Sequence, residues 1–325
     1  MHLSKIILLF FVLFMAVAAM AEEAAPKEAP TDADKAMAAK AIQLAEKCRD
    51  NLGREQSNFL LNDWPRYSVK FLAGEAAADH KQLVESRDRV TWFIEVLEKA
   101  KDWPQPPKMK IPFTKKAPVI DGKLDDKVWK KAWKSTDYYE INSDKLVKTP
   151  KQSWRMMWDE QYLYMSADCA DTDIISPVLP RDGEVYNYDC VELFVMPDFA
   201  NAEYWELEFG VTGSIYDSLC KKNHDHWGGV NNTKAEMTGL KAAIVINGTA
   251  NKSDDKDTGY TVEIAVPFSQ LPGYVADTKP KSGQQMRGLL ARMDKNTEDF
   301  KPYAAWPLLS WTHNIWNYAT IELKK

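Results

Sequence analysis

The sequence predicts a mainly β protein: an antiparallel, jelly-roll-like β-sandwich as the C-terminal domain, preceded by a small α-helical region. Three observations lead there. From Ser153 to Leu323, short apolar runs recur at near-regular spacing and break at Gly, Asn, Asp and Pro, as the strands of a sandwich or barrel do. Between Ala33 and Trp103 the apolar residues recur at helical spacing instead. Pro104, Pro106, Pro107 and Pro112 lie between the two patterns, a composition that favours an extended linker. The length of 325 residues is enough for about two domains.

Residues 1–21 read as a targeting segment. Lys5 supplies a positive start, Ile6 to Ala19 is an apolar run, and Ala19-Met20-Ala21 matches a small-x-small cleavage pattern before Glu22. The expectation is export, to the periplasm or the medium; an uncleaved membrane anchor is the alternative. Residues 22–32, rich in Ala, Pro and Glu, read as a disordered linker. Residues 33–103 read as a helical hairpin or bundle. Its first helix carries Met37, Ala41, Leu44, Ala45, Cys48 and Leu52 and ends by Trp64-Pro65; its second carries Leu83, Val90, Ile94 and Leu97. No catalytic motif falls in it, so a spacer or a self-associating arm is expected.

Residues 104–116 form the Pro-rich linker and 117–325 the sandwich. Val119 to Gly122 reads as an opening strand and turn, followed by a short amphipathic element with Leu124, Val128, Trp129 and Trp133. Strands are expected at Ser153–Trp158, Tyr162–Cys169, Cys190–Met196, Tyr204–Thr212, Ser214–Leu219, Leu240–Ile246, Tyr260–Val266, Met286–Met293 and Tyr318–Leu323. In Tyr204–Thr212, Trp205, Leu207 and Phe209 share one face, and Glu206 and Glu208 the other.

The stretch from Tyr186 to Asp198 organises this domain. Tyr186 and Tyr188 precede an apolar strand that holds Asp189 and Glu192, a pattern that fits a binding face better than plain core. Glu192 and Glu263 are acids inside apolar strands, with Arg155, Arg287 or Arg292 as candidate partners. Trp129, Trp158 and Trp306 are assigned to the core. Of the four cysteines, Cys169 and Cys190 fall on strands that could be neighbours; spacing leaves pairing and buried free thiols both open. His224-Asp225-His226 can face one metal from an extended segment, yet no third ligand lies nearby, which favours a polar loop. A net charge of −5 gives nothing to attract nucleic acid or an anionic membrane.

The ordered set Ile120-Asp121-Gly122 with Trp129, Trp158-Asp159 with Leu163-Tyr164, Asp189-Cys190-Val191-Glu192-Leu193-Phe194, the run Gly259 to Phe268, and Arg292 with Asp294 and Trp306 resembles the family 9 carbohydrate-binding module, within the DOMON-like sandwiches. The resemblance covers 117–325 and implies a polysaccharide or oligosaccharide ligand gripped between two aromatic rings. It places those rings at Tyr186 and Trp311, with Trp316 as a nearby alternative, and polar contacts at Glu192, Tyr188 and Asp189. Three positions depart from the family: Gly210 stands for an Arg, Ala291 for a Gln, and an amide ahead of the second ring is missing. Calcium sites are implied as well, with Asp171, Asp173 and Asp198 as ligands; solvated loop acids are the alternative.

Two other function classes stay open on the residues. A haem-binding electron-transfer module of the DOMON-like kind would use Met156, Met165, Met196 or His224. An envelope scaffold would use the sandwich as a platform and the helices for assembly. A glycosidase needs two carboxylates opposed across a cleft, and the sequence places no such pair. It also carries no nucleophile elbow, phosphate loop or metal-hydrolase motif.

Overall fold

The computed structural model describes residues 26–52, 66–100, 103–198, 203–221, 230–274, 279–297, 299–308 and 312–325. The targeting segment, Trp64-Pro65 and the His224-Asp225-His226 cluster lie outside them. No helix among the described residues is long and apolar enough to cross a membrane.

The helical region has three described helices: α1 (Asp32–Leu52), α2 (Arg66–Ala73) and α3 (His80–Ala100). Thr31 caps α1. Its hydroxyl accepts the Asp34 N–H at 3.2 Å, and its own N–H donates to the Asp34 carboxylate at 2.8 Å, a reciprocal cap. Arg87 of α3 then clamps the same carboxylate through two bonds, of 2.7 and 2.9 Å. Ala38, Ala41 and Ala45 leave room for Leu83, Val90, Phe93 and Leu97 of α3 to bury against α1, and Leu72 of α2 completes that core. The short α2 was not expected as a helix. Strand β1 (Lys27–Glu28) pairs with β2 (Ala78–Asp79), so part of the stretch read as a disordered linker is tied to the helical unit.

The remaining strands build a sandwich. In chain order they are β3 (Lys108–Pro112), β4 (Trp133–Ser135), β5 (Tyr139–Glu140), β6 (Gln152–Trp158), β7 (Tyr162–Cys169), β8 (Cys190–Asp198) and β9 (Glu203–Gly210). They continue as β10 (Ile215–Lys221), β11 (Val230–Asn232), β12 (Lys241–Asn247), β13 (Gly259–Pro267), β14 (Gln285–Lys295), β15 (Phe300–Ala304) and β16 (Ala319–Lys324). One sheet runs β11-β10-β9-β8-β14-β15-β5, with β16 also on β14 and β3 on β16; the other runs β12-β13-β7-β6-β4. All pairs are antiparallel except β16 with β3.

Two readings of 104–122 are corrected by this arrangement. The Pro-rich linker contains β3, whose Met109 and Ile111 alternate inward and are buried. Its prolines fall at or outside the strand ends, where no ladder donor is lost. Conversely, Val119 to Gly122 forms no strand. Gly122 sits at φ 81° and its Cβ position would lie 3.0 Å from the Ile244 carbonyl carbon, so the segment passes as a tight turn over β12.

Register assigns the faces. Val191, Leu193 and Val195 of β8 lie opposite Phe209, Leu207 and Trp205 of β9. They pack across the sandwich on Trp154, Met156 and Trp158 of β6 and Leu163, Met165 and Ala167 of β7. Trp158 and Trp306 are core residues as expected, and Trp129 is buried beneath the 3-10 turn Lys127–Lys131, in a smaller cluster with Met157, Tyr164 and Ala265.

Candidate functional site

The other face of the large sheet is polar and covered. On β8 it presents Cys190, Glu192 and Phe194; on β9, Tyr204, Glu206 and Glu208; on β10, Tyr216, Ser218 and Cys220. Register puts Glu192 directly opposite Glu208, Phe194 opposite Glu206, Glu206 opposite Ser218 and Glu208 opposite Tyr216. Three glutamates thus form a row across two strands. Only 2%, 4% and 1% of Glu192, Glu206 and Glu208 is exposed. Like charges directly opposite in an antiparallel pair are destabilising. His313 Nε2 lies 3.2 Å from Glu206, and Arg287 of β14 stands on the same face, opposite Met196. Burial first, and the neighbouring glutamates next, push the Glu192 and Glu208 carboxyls well above their ordinary value. That direction favours the protonated form, which can both donate and accept.

A rim of aromatic side chains surrounds the row. Tyr186 stands in the 3-10 turn Val185–Asn187 at the strand end, 39% exposed. Its ring meets Tyr216 edge-on at 6.3 Å. On the opposite side the Tyr204 hydroxyl and His313 Nδ1 are 2.8 Å apart, and His313 packs edge-on against Phe194 at 5.7 Å. Two polar atoms here have no partner: Glu208 Oε2 and the hydroxyl of fully buried Tyr318. Burial and the nearby Tyr204, Glu206, Cys220 and Glu192 raise the Tyr318 phenol well above its usual range, which places that hydroxyl in the field of the row.

The structure sorts the residues expected from sequence. Tyr186 and Glu192 share this face. Tyr188 is half-buried in the turn below, donating its N–H to Val185. Asp189 is not on the face. It is fully buried and accepts the N–H groups of Ile175 at 2.5 Å and Lys295 at 2.7 Å, so it ties a loop to the end of β14. Burial and Asp171 nevertheless push its carboxyl up to about 8. Trp311 and the side chains of Trp316 and Asp198 lie outside the described residues. Glu206, Glu208, Tyr216, Tyr318 and His313 were missed. The alternation that puts Glu206 and Glu208 on one face is plain in sequence; that this face is covered is not.

Asp171 is likewise buried, in a cluster with Asp189 and Asp294, and the guanidinium of Arg292 lies 2.8 Å from Asp171 and 3.2 Å from Asp294. A cation from the chain itself thus pairs with two of these three acids. Asp173 instead accepts the Thr297 N–H at 3.1 Å. A second acidic cluster, Asp182, Asp217 and Glu236, is held by Arg181 in the same way. Glu263 pairs with no arginine: it accepts the N–H groups of Asp121 at 2.9 Å and Gly122 at 2.8 Å and the Trp129 indole N–H at 2.7 Å. Met156, Met165 and Met196, considered as haem ligands, are fully buried in the core. Cys169, Cys190 and Cys220 are free and buried, and Cys169 and Cys190 lie on different sheets.

Comparison with known proteins gives the family of the chain. The sequence profile of the carbohydrate family 9 binding domain-like family matches residues 120–317. Exoglucanase XynX of Acetivibrio thermocellus is 33% identical over 156 residues, 47% of this chain and 12% of that protein. Endo-1,4-beta-xylanase A of Thermoanaerobacterium saccharolyticum is 32% identical over 156 residues, 47% of this chain and 11% of its own length. The matched segment is thus a small part of each of these curated relatives. Among solved structures, a candidate carbohydrate-binding protein from Bacteroides uniformis superposes with a TM-score of 0.54 at 12% identity, covering 67% of this chain and 99% of its own. A family 9 module from Caldicellulosiruptor kristjanssonii in complex with cellotriose gives 0.43 at 17% identity, covering 66% and 94%. The chain belongs to the carbohydrate family 9 binding domain-like family.

Proposed function

We propose that this family 9 chain is a non-catalytic protein that holds a polysaccharide or oligosaccharide on the Tyr186 side of its large sheet. One observation carries the reading: an exposed tyrosine ring, packed edge-on against Tyr216, stands at the end of a strand face that carries a row of buried carboxyls. A pyranose has an apolar C–H face that packs on an aromatic ring and rim hydroxyls that need partners. Tyr186 supplies the ring. Glu192 and Glu208, neutral, can donate to and accept from hydroxyls. Trp311, which the resemblance sets as the second ring, belongs to this proposal, as does export through residues 1–21. The matched relatives are named as an exoglucanase and a xylanase, and the segment shared with each is a minor part of it, which supports a separable binding module attached to glycan-degrading enzymes.

The test is a glycan-array or calorimetric titration of residues 22–325 beside Tyr186→Ala and Trp311→Ala. Binding in the parent and loss in the Tyr186 variant is the expected result. Binding that survives Tyr186→Ala moves the ligand off this face and overturns the assignment.

A further inference from the structure

We propose that two copies of this chain associate through the outer edge of β12 (Lys241–Asn247), pairing antiparallel with each other about a two-fold axis at Ile244. The proposal goes beyond the glycan reading and does not depend on it, since Tyr186 stands at the end of a strand of the other sheet.

The first observation is the edge itself. An edge strand leaves a row of backbone N–H and C=O groups unpaired, and proteins blunt such edges with short strands, lysines or prolines. The other edges of this sandwich are blunted in these ways. Strands β11 and β4 have three residues each and β5 has two, and β3 carries Lys108, Lys110 and Pro112. Strand β12 ends the small sheet, and among the described residues no strand pairs with its outer side. It runs for seven residues in unbroken register with β13. Its stretch Ala242-Ala243-Ile244-Val245-Ile246 contains no charge, proline or glycine. The one lysine, Lys241, stands at the strand end with its ammonium 4.8 Å from the centre of the Tyr162 ring.

The second observation is that the core under this edge is open. On the neighbouring β13, the inward residues Val262, Ile264 and Val266 are 0% exposed. On β12, the inward residues Ala242, Ile244 and Ile246 are only half-buried. A cavity of about 320 Å³ lies there, lined by Phe209, Val211 and Ile215 of the opposite sheet and by those three residues. A strand laid along the edge covers these side chains and completes the ladder of hydrogen bonds in one step.

The strand fits a second copy of itself. With the axis at Ile244, Ala242 of one copy faces Ile246 of the other and Ala243 faces Val245, so a small side chain meets a large one at each step. Lys241 meets Asn247, so no like charges oppose each other. The contact uses the same patch on both copies and closes as a dimer.

The experiment is sedimentation velocity of residues 22–325 between about 1 and 100 µM, the range suited to a contact at the small end of interface sizes. The expected result is a shift from monomer to dimer across the series. Hydrogen exchange of the same samples should show the amides of 241–247 exchanging roughly tenfold more slowly at the high concentration. Ala242→Lys, which turns a lysine inward at the edge, should raise the dissociation constant at least tenfold. The exchange measurement needs no substitution, so it decides the matter even where Ala242→Lys fails to fold. A protein that stays monomeric throughout overturns the proposal. So does a dimer whose 241–247 amides exchange as in the monomer, because the contact then lies elsewhere. Full protection of those amides in the monomer also overturns it, because the chain then covers its own edge. Glycan affinity per chain should be equal in the parent and Ala242→Lys, so the glycan reading is tested separately.

Discussion

Replacing Glu263 by alanine removes one acceptor from three donors at once. Glu263 is 1% exposed and lies on the outer face of the small sheet, where it receives Asp121 N–H, Gly122 N–H and Trp129 Nε1–H within 2.9 Å. Gly122 and Trp129 are buried and Asp121 is exposed, so the Asp121 amide can return to water. The two buried donors each cost about 1–3 kcal/mol when left unpaired. With the lost anchoring of the 117–129 turn, the total is about 4 kcal/mol. At about 2–4 °C per kcal/mol for a domain of this size, the sandwich should melt about 8–16 °C lower. Thermal unfolding followed by tryptophan fluorescence reads this directly, with Glu263→Gln expected to lose roughly half as much because it keeps one acceptor. Sugar affinity should not change, because the two sheets and their core separate Glu263 from the glutamate row. A melting temperature within about 3 °C of the parent would refute the reasoning, since it would mean that the three donors find other acceptors.

Further outcomes follow from the same structure. Glu192 and Glu208 hold protons in the folded state that the unfolded chain releases above its ordinary value of 4.5, so their contribution to stability falls as pH rises from there. Urea midpoints compared at about pH 5 and pH 8 should show that fall, and Glu208→Gln should flatten it. Arg292→Met leaves Asp171 and Asp294 buried without their cation and should cost about 3–5 kcal/mol in denaturant unfolding. Tyr186→Ala removes an exposed ring and should lower glycan affinity about tenfold in calorimetry, with the unfolding midpoint nearly unchanged.

Much of this architecture is legible along the chain because its signals are local. Period-two alternation placed Leu163, Met165 and Ala167 on one face of β7 and Trp205, Leu207 and Phe209 on one face of β9, and both sets are core. Helical spacing likewise marked Leu83, Val90 and Leu97. In the site, the position of Tyr186 ahead of an acid-bearing strand was readable, because turn and strand are contiguous. Other features failed for one physical reason. Strand β3 is held by β16, far away in sequence, and a parallel pairing of that kind has no neighbour-to-neighbour signature. The partner of Glu263 is a turn over the middle of β12, and no spacing rule links it to residue 122.

The sequence by itself therefore determined which side chains share a face, since that follows from backbone geometry over a few residues. Only the tertiary structure decided what lies on top of each face. Alternation marks Glu206 and Glu208 as facing away from the core, which for most strands means water. Here Tyr186, Tyr216 and His313 lie around them, so charges that would be solvated on an open sheet become a buried row. Burial depends on segments brought together from residues 186, 216, 313 and 318, and that long-range choice turns an unremarkable polar face into the candidate site.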